Sequence, residues 1–311
     1  MSTMHTEILV IGGGPAGLSA ALTLSRARRD VVVLDSGEPR NAPAQRAHGL
    51  LGLEGIRPLD LLARGREEVT SYGGRIIHDR VAHAQADDGA FQVEAESGRR
   101  IQAGTLLIAT GTRDILPDLP GLAERWGRDV IHCPYCHGWE IRDQRIGVLA
   151  TGPMSAMQAL MFGQWSPQVQ FYPQGLDYPA DQLAKLTATG ITIADRRVTG
   201  LAVQGDALTG VVLDDTRVNP LDALVVPATT RARLDGLDGL GLQIEESEAA
   251  TTLVADAAGH TSVPGVWAAG NVVNPAMQIS EAAANGARVA MTLNTELIFQ
   301  HAENKTQESV S

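Results

Sequence analysis

The glycine run Gly12-x-Gly14-x-x-Gly17 constrains this chain more than any other feature. It follows directly on the apolar residues 8–11 and opens an alanine- and leucine-rich stretch of helical character at 16–27. A second apolar run, 31–34, ends at Asp35. Strand, glycine turn, helix and strand make half of a dinucleotide-binding βαβ unit. In that setting Gly12 permits the tight turn, Gly14 lets a pyrophosphate approach the backbone, and Gly17 lets the helix pack closely. The helix start offers N–H groups and a partial positive charge to an anion. Asp35, about 20 residues on, is placed to accept from a ribose hydroxyl. The alternative is a tight βα turn with no ligand.

Length and composition agree with an α/β enzyme. At ~100–200 residues per domain, 311 residues suggest two domains, and 33 glycines with aromatics at 4% suit a chain of many βα turns. The formal charge of −11 repels phosphate backbones and anionic surfaces, so no nucleic-acid partner is expected. No apolar run approaches the ~20 residues of a membrane span. The opening MSTMHTE lacks the basic and apolar regions of a signal peptide. These observations predict a cytoplasmic protein with no membrane partner.

Along the chain, residues 40–60 predict a ligand-covering loop, with a helix at 58–70. Residues 76–86, 91–95 and 100–102 suggest a small antiparallel insert, and 105–109 a buried strand. A second strand, turn and helix begin at 145, followed by strands at 169–172, 221–226 and 265–269 and a helix at about 278–297. The polar end, 301–311, suggests a frayed tail. Proline-rich 117–120 and glycine-rich 235–242 mark candidate crossings. The expected layout is two Rossmann-like dinucleotide-binding domains, the second (116–242) inserted into the first (1–115 and 243–311).

Three segments, IGGGPAGLSAA at the start, LLIATGT at 106–112 and SVPGVWAAGNV at 262–272, resemble the thioredoxin-reductase-like flavoproteins. The resemblance covers essentially the whole chain. It implies FAD as cofactor and a homodimer with the substrate groove between subunits. It assigns cofactor contacts to Gly12, Gly14, Pro15, Ala16, Gly17 and Asp35, to Ala109, Thr110 and Gly111, and to Gly270 and Asn271. Gln278 and Ile279 fall at the helix start that would face the isoalloxazine, where the helix dipole favours negative charge on reduced flavin. Asn271 stands where the family usually has Asp; the amide keeps hydrogen-bonding capacity and loses the charge. Asn41, Gln45 and His48 lie where related reductases cover the flavin, or else are solvated loop residues. Val81 is either a backbone contact to adenine or an ordinary strand residue.

The chain's two cysteines, Cys133 and Cys136, lie in His132-Cys-Pro-Tyr-Cys-His-Gly138. Two cysteines cannot supply a disulfide framework in a chain this long. A C-x-x-C pair can close a disulfide across a short turn and exchange electrons with a flavin. Half of a zinc site and an inert pair of buried thiols are the other readings; no second cysteine pair exists for zinc, so no metal is expected. By resemblance, Cys136 lies against the flavin and Cys133 meets the substrate. His137 stands where bacterial thioredoxin reductases place an aspartate acid, and an imidazole with a pKa near ~6.5 can shuttle a thiol proton; a loop-filling histidine is the alternative for His137 and for His132. Trp126, Trp139 and Trp165 suggest core or interface packing, with substrate contact as the alternative, and Glu140 a solvated helix or turn residue.

The second fingerprint departs from the reductases. In place of V-x-G-x-G-x-x-A, Val148 leads into Leu149, Ala150, Thr151, Gly152, Pro153, Met154 and Ser155. The Ala150 Cβ crowds the turn, and Pro153 removes an N–H from the phosphate cradle. Residues 172–178 carry none of the arginines that hold a 2′-phosphate. The expectation is a nucleotide fold without NADPH. Together with C-x-x-C-His-Gly, this resembles the dithiol oxidases of gliotoxin, holomycin and romidepsin biosynthesis. That resemblance implies electrons passing from a small dithiol through the cysteine pair to FAD and O₂, with release of H₂O₂. The alternative is a thioredoxin-reductase-like enzyme that reduces a protein disulfide with NAD(P)H or ferredoxin.

Overall fold

The computed structural model describes residues 3–310. In chain order it begins with β1 (Met4–Ile11), α1 (Pro15–Arg26) and β2 (Val31–Asp35), the βαβ half expected from the fingerprint. Then follow α2 (Pro58–Ser71), β3 (Arg75–His78), β4 (Val81–Asp87), β5 (Ala90–Ala95), β6 (Arg100–Ile108) and β7 (Thr112–Ile115). The middle of the chain holds α3 (Leu122–Arg125), β8 (Val130–Ile131), α4 (Pro134–His137), β9 (Ile146–Leu149), α5 (Ser155–Phe162), β10 (Val169–Tyr172), α6 (Ala180–Ala188) and β11 (Thr192–Ile193). It continues through β12 (Val198–Gln204), β13 (Ala207–Leu213), β14 (Val218–Pro220) and β15 (Ala223–Val225). The last elements are β16 (Thr229–Ala232), β17 (Ile244–Glu246), β18 (Ala250–Leu253), β19 (Val266–Ala268) and α7 (Ile279–Val310).

These elements separate into two compact units. One comprises the chain up to Ala42, Pro58–Arg113 and everything from Thr230 on; the other comprises Pro43–Arg57 and Asp114–Thr229. The return therefore falls at 230 rather than near 243, because β16 runs parallel to β18 with Thr230 opposite Ala250, which ties the intervening residues to the first unit. The loop 43–57 belongs to the second unit, closed on itself by the bridge between Ala47 and Ile56.

In the first unit the sheet runs β3-β2-β1-β6-β5-β4, with β19 also paired to β6. β1, β2, β3, β6 and β19 are parallel, and β5 and β4 continue as an antiparallel hairpin. Side-chain alternation along β1 sends Leu9 and Ile11 into one core and Ile8 and Val10 into the other, so both faces of the sheet are covered. Two expectations change. The run 76–86 splits at Asp79, whose carboxylate accepts the Arg80 N–H and turns the chain between β3 and β4. Residues 100–102 and 105–109 form a single strand, β6, antiparallel to β5 at its start and parallel to β1 along its length.

The second unit has a five-stranded parallel sheet, β11-β10-β9-β15-β8, and an antiparallel meander, β12-β13-β14. Its strand, turn and helix at β9 and α5 repeat the form of the first unit. Both units are thus Rossmann-like α/β folds.

α7 runs well past 297, through Val310. The Ala, Glu, Lys and Gln in 301–307 are strong helix formers, so polarity there favours a solvated helix over fraying. No described helix is long and apolar enough to cross a membrane. α7 crosses α1 at Gly286, where a Cβ would overlap the backbone of Ala16. Gly286→Ala is expected to lower stability by about 1–3 kcal/mol through overpacking; an unchanged urea midpoint would contradict this crossing.

Candidate active site

The fingerprint turn is built by backbone contact. Gly12 has φ of +105°, and a Cβ there would stand 2.5 Å from the Ala109 carbonyl oxygen. A Cβ on Gly17 would overlap the Gly12 carbonyl, whereas nothing lies within 4 Å of a Cβ on Gly14. Gly14 is the N-cap of α1 with no side-chain cap, and Pro15 and Ala16 open the helix. Its N–H groups thus meet an open face, as an anion site requires.

Asp35 is nearly fully buried, and both its oxygens have partners: the Gly13 N–H donates to Oδ1 at 3.0 Å, and Arg66 Nη2 donates to Oδ2 at 2.9 Å. It locks the turn, and its remaining lone pairs can still accept from a ribose. Arg66, on α2, gave no sequence signal because no local motif links it to Asp35. Thr110 Oγ1 and Arg66 Nε are buried without a partner. Orphaned buried polar atoms are rare in folded proteins, and these two lie in segments that contact the turn. An uncapped anion cradle with orphaned donors beside it fits a dinucleotide.

The other expected contacts in this unit are held in place by the backbone. Ala109 donates its N–H to the Ile11 carbonyl, and the Gly111 carbonyl accepts from the Arg233 N–H at 3.0 Å. The Gly270 N–H donates to Asn285 Oδ1 at 2.7 Å. Asn271 donates through Nδ2 to the carbonyls of Asn274 and Met277 at 3.1 and 2.9 Å. A carboxylate cannot donate to two carbonyls, so the amide suits this loop where Asp would not. The Gln278 N–H, just before Ile279 opens α7, donates to Glu281 Oε2 at 2.9 Å. That carboxylate offsets part of the positive end of the helix dipole expected there. Asn41 is half-buried in a turn, and Val81 is a buried core residue at the start of β4.

The cysteine pair lies in the second unit. Cys133 and Cys136 form a disulfide, so in this state neither sulfur is a metal ligand. Cys133 caps α4, its Sγ accepting the Cys136 N–H at 3.2 Å. Once reduced, this hydrogen bond favours the Cys133 thiolate. The His137 N–H donates to the Cys133 carbonyl, and its buried Nδ1 has no partner. Burial lowers the His137 pKa from the ordinary 6.5, opposed by the charge of Glu140 and aided by that of His48.

His48 stands between two carboxylates of this same unit, with Nδ1 2.6 Å from Glu54 and Nε2 3.3 Å from Glu140. Glu140 is an exposed turn residue, as expected, and lies within ion-pair distance of His48. Trp126 stacks on His132, and Trp165 packs edge-on against Tyr135, as packing residues should. Trp139 is not a core residue: it is 65% exposed, like Tyr135, with the Arg142 guanidinium on its ring.

The turn after β9 differs from the turn after β1. Ser155, almost fully buried, accepts the Thr151 and Gly152 N–H groups on its hydroxyl at 3.1 and 3.3 Å. The Tyr178 hydroxyl donates to the Gly152 carbonyl at 2.7 Å. Side chains thus satisfy two N–H groups of a kind that elsewhere hold a pyrophosphate. Against this, the loop after β10 is not without a cation, since the exposed Arg197 lays its guanidinium against Gly175. Removing the hydroxyl in Ser155→Ala should cost about 1–3 kcal/mol by leaving buried donors unpaired, read as a lower urea midpoint; no change would contradict the closed turn.

Comparison with known proteins gives a consistent result. Residues 6–286 match the model of the pyridine nucleotide-disulphide oxidoreductases. The chain is 33% identical over 312 residues to the thioredoxin reductase tcpT of Claviceps purpurea, covering 96% of each. Among solved structures it is similar to HlmI, with a TM-score of 0.92 and 38% identity over 98% of this chain and 96% of that one. The oxidoreductase from Agrobacterium tumefaciens gives a TM-score of 0.90 and 38% identity over 95% and 99%. This chain accordingly belongs to the pyridine nucleotide-disulphide oxidoreductase family, as an FAD-binding disulfide oxidoreductase of the thioredoxin-reductase-like type.

Proposed function

We propose that this protein is a dithiol oxidase that closes an intramolecular disulfide in a small dithiol natural product, with O₂ as the final acceptor. The observation that carries this reading is the turn after β9, where the Ser155 hydroxyl occupies two N–H groups that a nicotinamide nucleotide would need. With that route hindered, a thiol substrate is a source of electrons that can reach the Cys133–Cys136 pair directly.

Bound at the Gly12 turn, FAD supplies the chemistry that removes two electrons from the cysteine dithiol and delivers them to O₂, giving H₂O₂. The cysteines do the rest by thiol–disulfide exchange. A substrate thiolate attacks Cys133 Sγ; a substrate–Cys133 bond forms, the Cys133–Cys136 bond breaks, and Cys136 leaves as the thiolate. The second substrate thiolate then attacks the substrate sulfur of this mixed disulfide, which releases the cyclised product and the Cys133 thiolate. The N–H of Cys136 stabilises that leaving thiolate. His137, kept neutral by burial, accepts a proton as the substrate thiol ionises. Exposed Tyr135 and Trp139 offer apolar surface to a compact substrate on either side of Cys136 and His137.

Arg197 against Gly175 favours a second reading, a reductase that takes electrons from NADPH. Aerobic turnover with dithiothreitol separates the two. The oxidase reading expects one H₂O₂ for each dithiol oxidised without added nucleotide, and Cys133→Ser should keep its flavin while losing this turnover by orders of magnitude. Peroxide formation undiminished in Cys133→Ser would refute the assigned thiol roles.

A further inference from the structure

Within the first unit, polar side chains tie α7 down at two places. At Asn294, Arg29 from the turn between α1 and β2 donates through Nε to Oδ1 at 2.7 Å and through Nη2 to the carbonyl at 3.3 Å. Two residues on, and so on another side of the helix, Glu296 Oε1 lies 2.8 Å from Nε2 of His260. His260 belongs to the turn that precedes β19. The neighbouring Gly259 carbonyl accepts the Ala268 N–H at 2.8 Å, and a Cβ on Gly259 would stand 2.6 Å from Val289 of α7, so the turn is wedged between strand and helix. The other ring nitrogen, Nδ1, lies 3.0 Å from Asp256 Oδ2. Asp256 is itself fixed, because its Oδ1 accepts the N–H groups of Ala258, Gly259 and His260 at 2.9, 2.8 and 2.9 Å. Buried Trp267 of β19 lies against the imidazole, with ring centroids 4.1 Å apart, and the negative face of an indole favours a cation. Carboxylate oxygens only accept hydrogen bonds and a neutral imidazole has a single N–H, so both contacts are served together when the His260 ring carries two protons.

We propose that His260 is a pH-sensitive clasp on the C-terminal helix: as the imidazolium it joins Glu296 of α7 to Asp256 of the turn before β19, and on losing a proton it gives up one of the two contacts and loosens the last docked turn of α7. The clasp stands where the helix leaves the body of the unit. Leu293 is fully buried and Leu297 half-buried, whereas 298–307 are exposed, Ile298 and Phe299 among them. The charged groups that face the ring are Glu296 from α7 and Asp256 from its own turn; β19 presents Trp267, which does not titrate. The hydrogen bond to Glu296 raises the His260 pKa above the ordinary 6.5 by more than desolvation lowers it, and the bond to Asp256 adds to the rise. A pKa raised on folding means that the clasp stabilises fully below the ordinary imidazole range and is lost as pH climbs through the raised value. The Arg29 tie has no such dependence, since a guanidinium keeps its charge. One of the two ties thus responds to pH, independently of the reaction the enzyme performs.

The test is amide hydrogen exchange of the full-length holoenzyme at about pH 6 and about pH 9, on either side of the raised imidazole range, read as protection factors so that the intrinsic pH dependence of exchange drops out. Near pH 6, His260→Gln and Glu296→Gln should each lower protection of the amides at 294–300 by about two- to fivefold, the range of a partly exposed ion pair. Near pH 9 the gap between each variant and the wild type should narrow, and amides at 283–289, around the Gly286 crossing, should be unaffected at both. Arg29→Gln should lower protection of the same 294–300 segment equally at the two pH values. A ¹³C-histidine NMR titration, with His260→Gln assigning the resonance, should place the His260 midpoint above the ordinary ~6.5 and lower it in Glu296→Gln. Equal effects of His260→Gln at both pH values, no effect near pH 6, or a midpoint that Glu296→Gln leaves in place would overturn the proposal.

Discussion

Backbone pressed against backbone at the Gly12 turn is the constraint on which the first unit depends. Gly12 sits against the Ala109 carbonyl, Gly17 against the Gly12 carbonyl and Gly286 against Ala16. Each approach leaves no room for a side chain. Together they draw α1 onto the sheet and α7 onto α1, and they leave the N–H groups at Gly14 facing open space. Asp35, locked by Gly13 and Arg66, fixes the far end of the same turn. The open anion cradle is thus a by-product of close packing rather than a separate device.

The second unit repeats the form with different chemistry. After β9, side chains take up N–H groups of the kind that stay open after β1: Ser155 takes two of them and Tyr178 donates to the Gly152 carbonyl. A turn satisfied from within gains little from a phosphate, since binding must first break those hydrogen bonds. The fold persists because its sheet and core do not depend on the ligand. What the unit presents instead is the disulfide, with Cys133 Sγ on the Cys136 N–H, and His48 between Glu54 and Glu140.

Much of this was legible in the sequence because it is local. The Gly12 fingerprint, the apolar runs of β1 and β2, the C-x-x-C and the damaged second fingerprint each lie within a short segment whose spacing carries the physics. What was not legible depends on long-range pairing. Arg66 reaches Asp35 from α2, Arg197 reaches Gly175 from beyond β11, and Glu140 meets His48 only when the loop 43–57 folds beside it. The return at Thr230 was missed for the same reason, since parallel pairing of β16 with β18 has no signature in either strand. For Trp139 the structure removes the core from the expected settings, since a large apolar side chain gives no sign in the sequence of whether neighbours cover it.

In the proposed oxidase, electrons enter from thiols and not from a nucleotide. Anaerobic mixing of the oxidised holoenzyme with a small dithiol or with NADPH, followed by flavin absorbance, separates the two donors. Rapid bleaching by the dithiol with an unchanged spectrum in NADPH is the expected result; rapid bleaching by NADPH alone would refute the proposal.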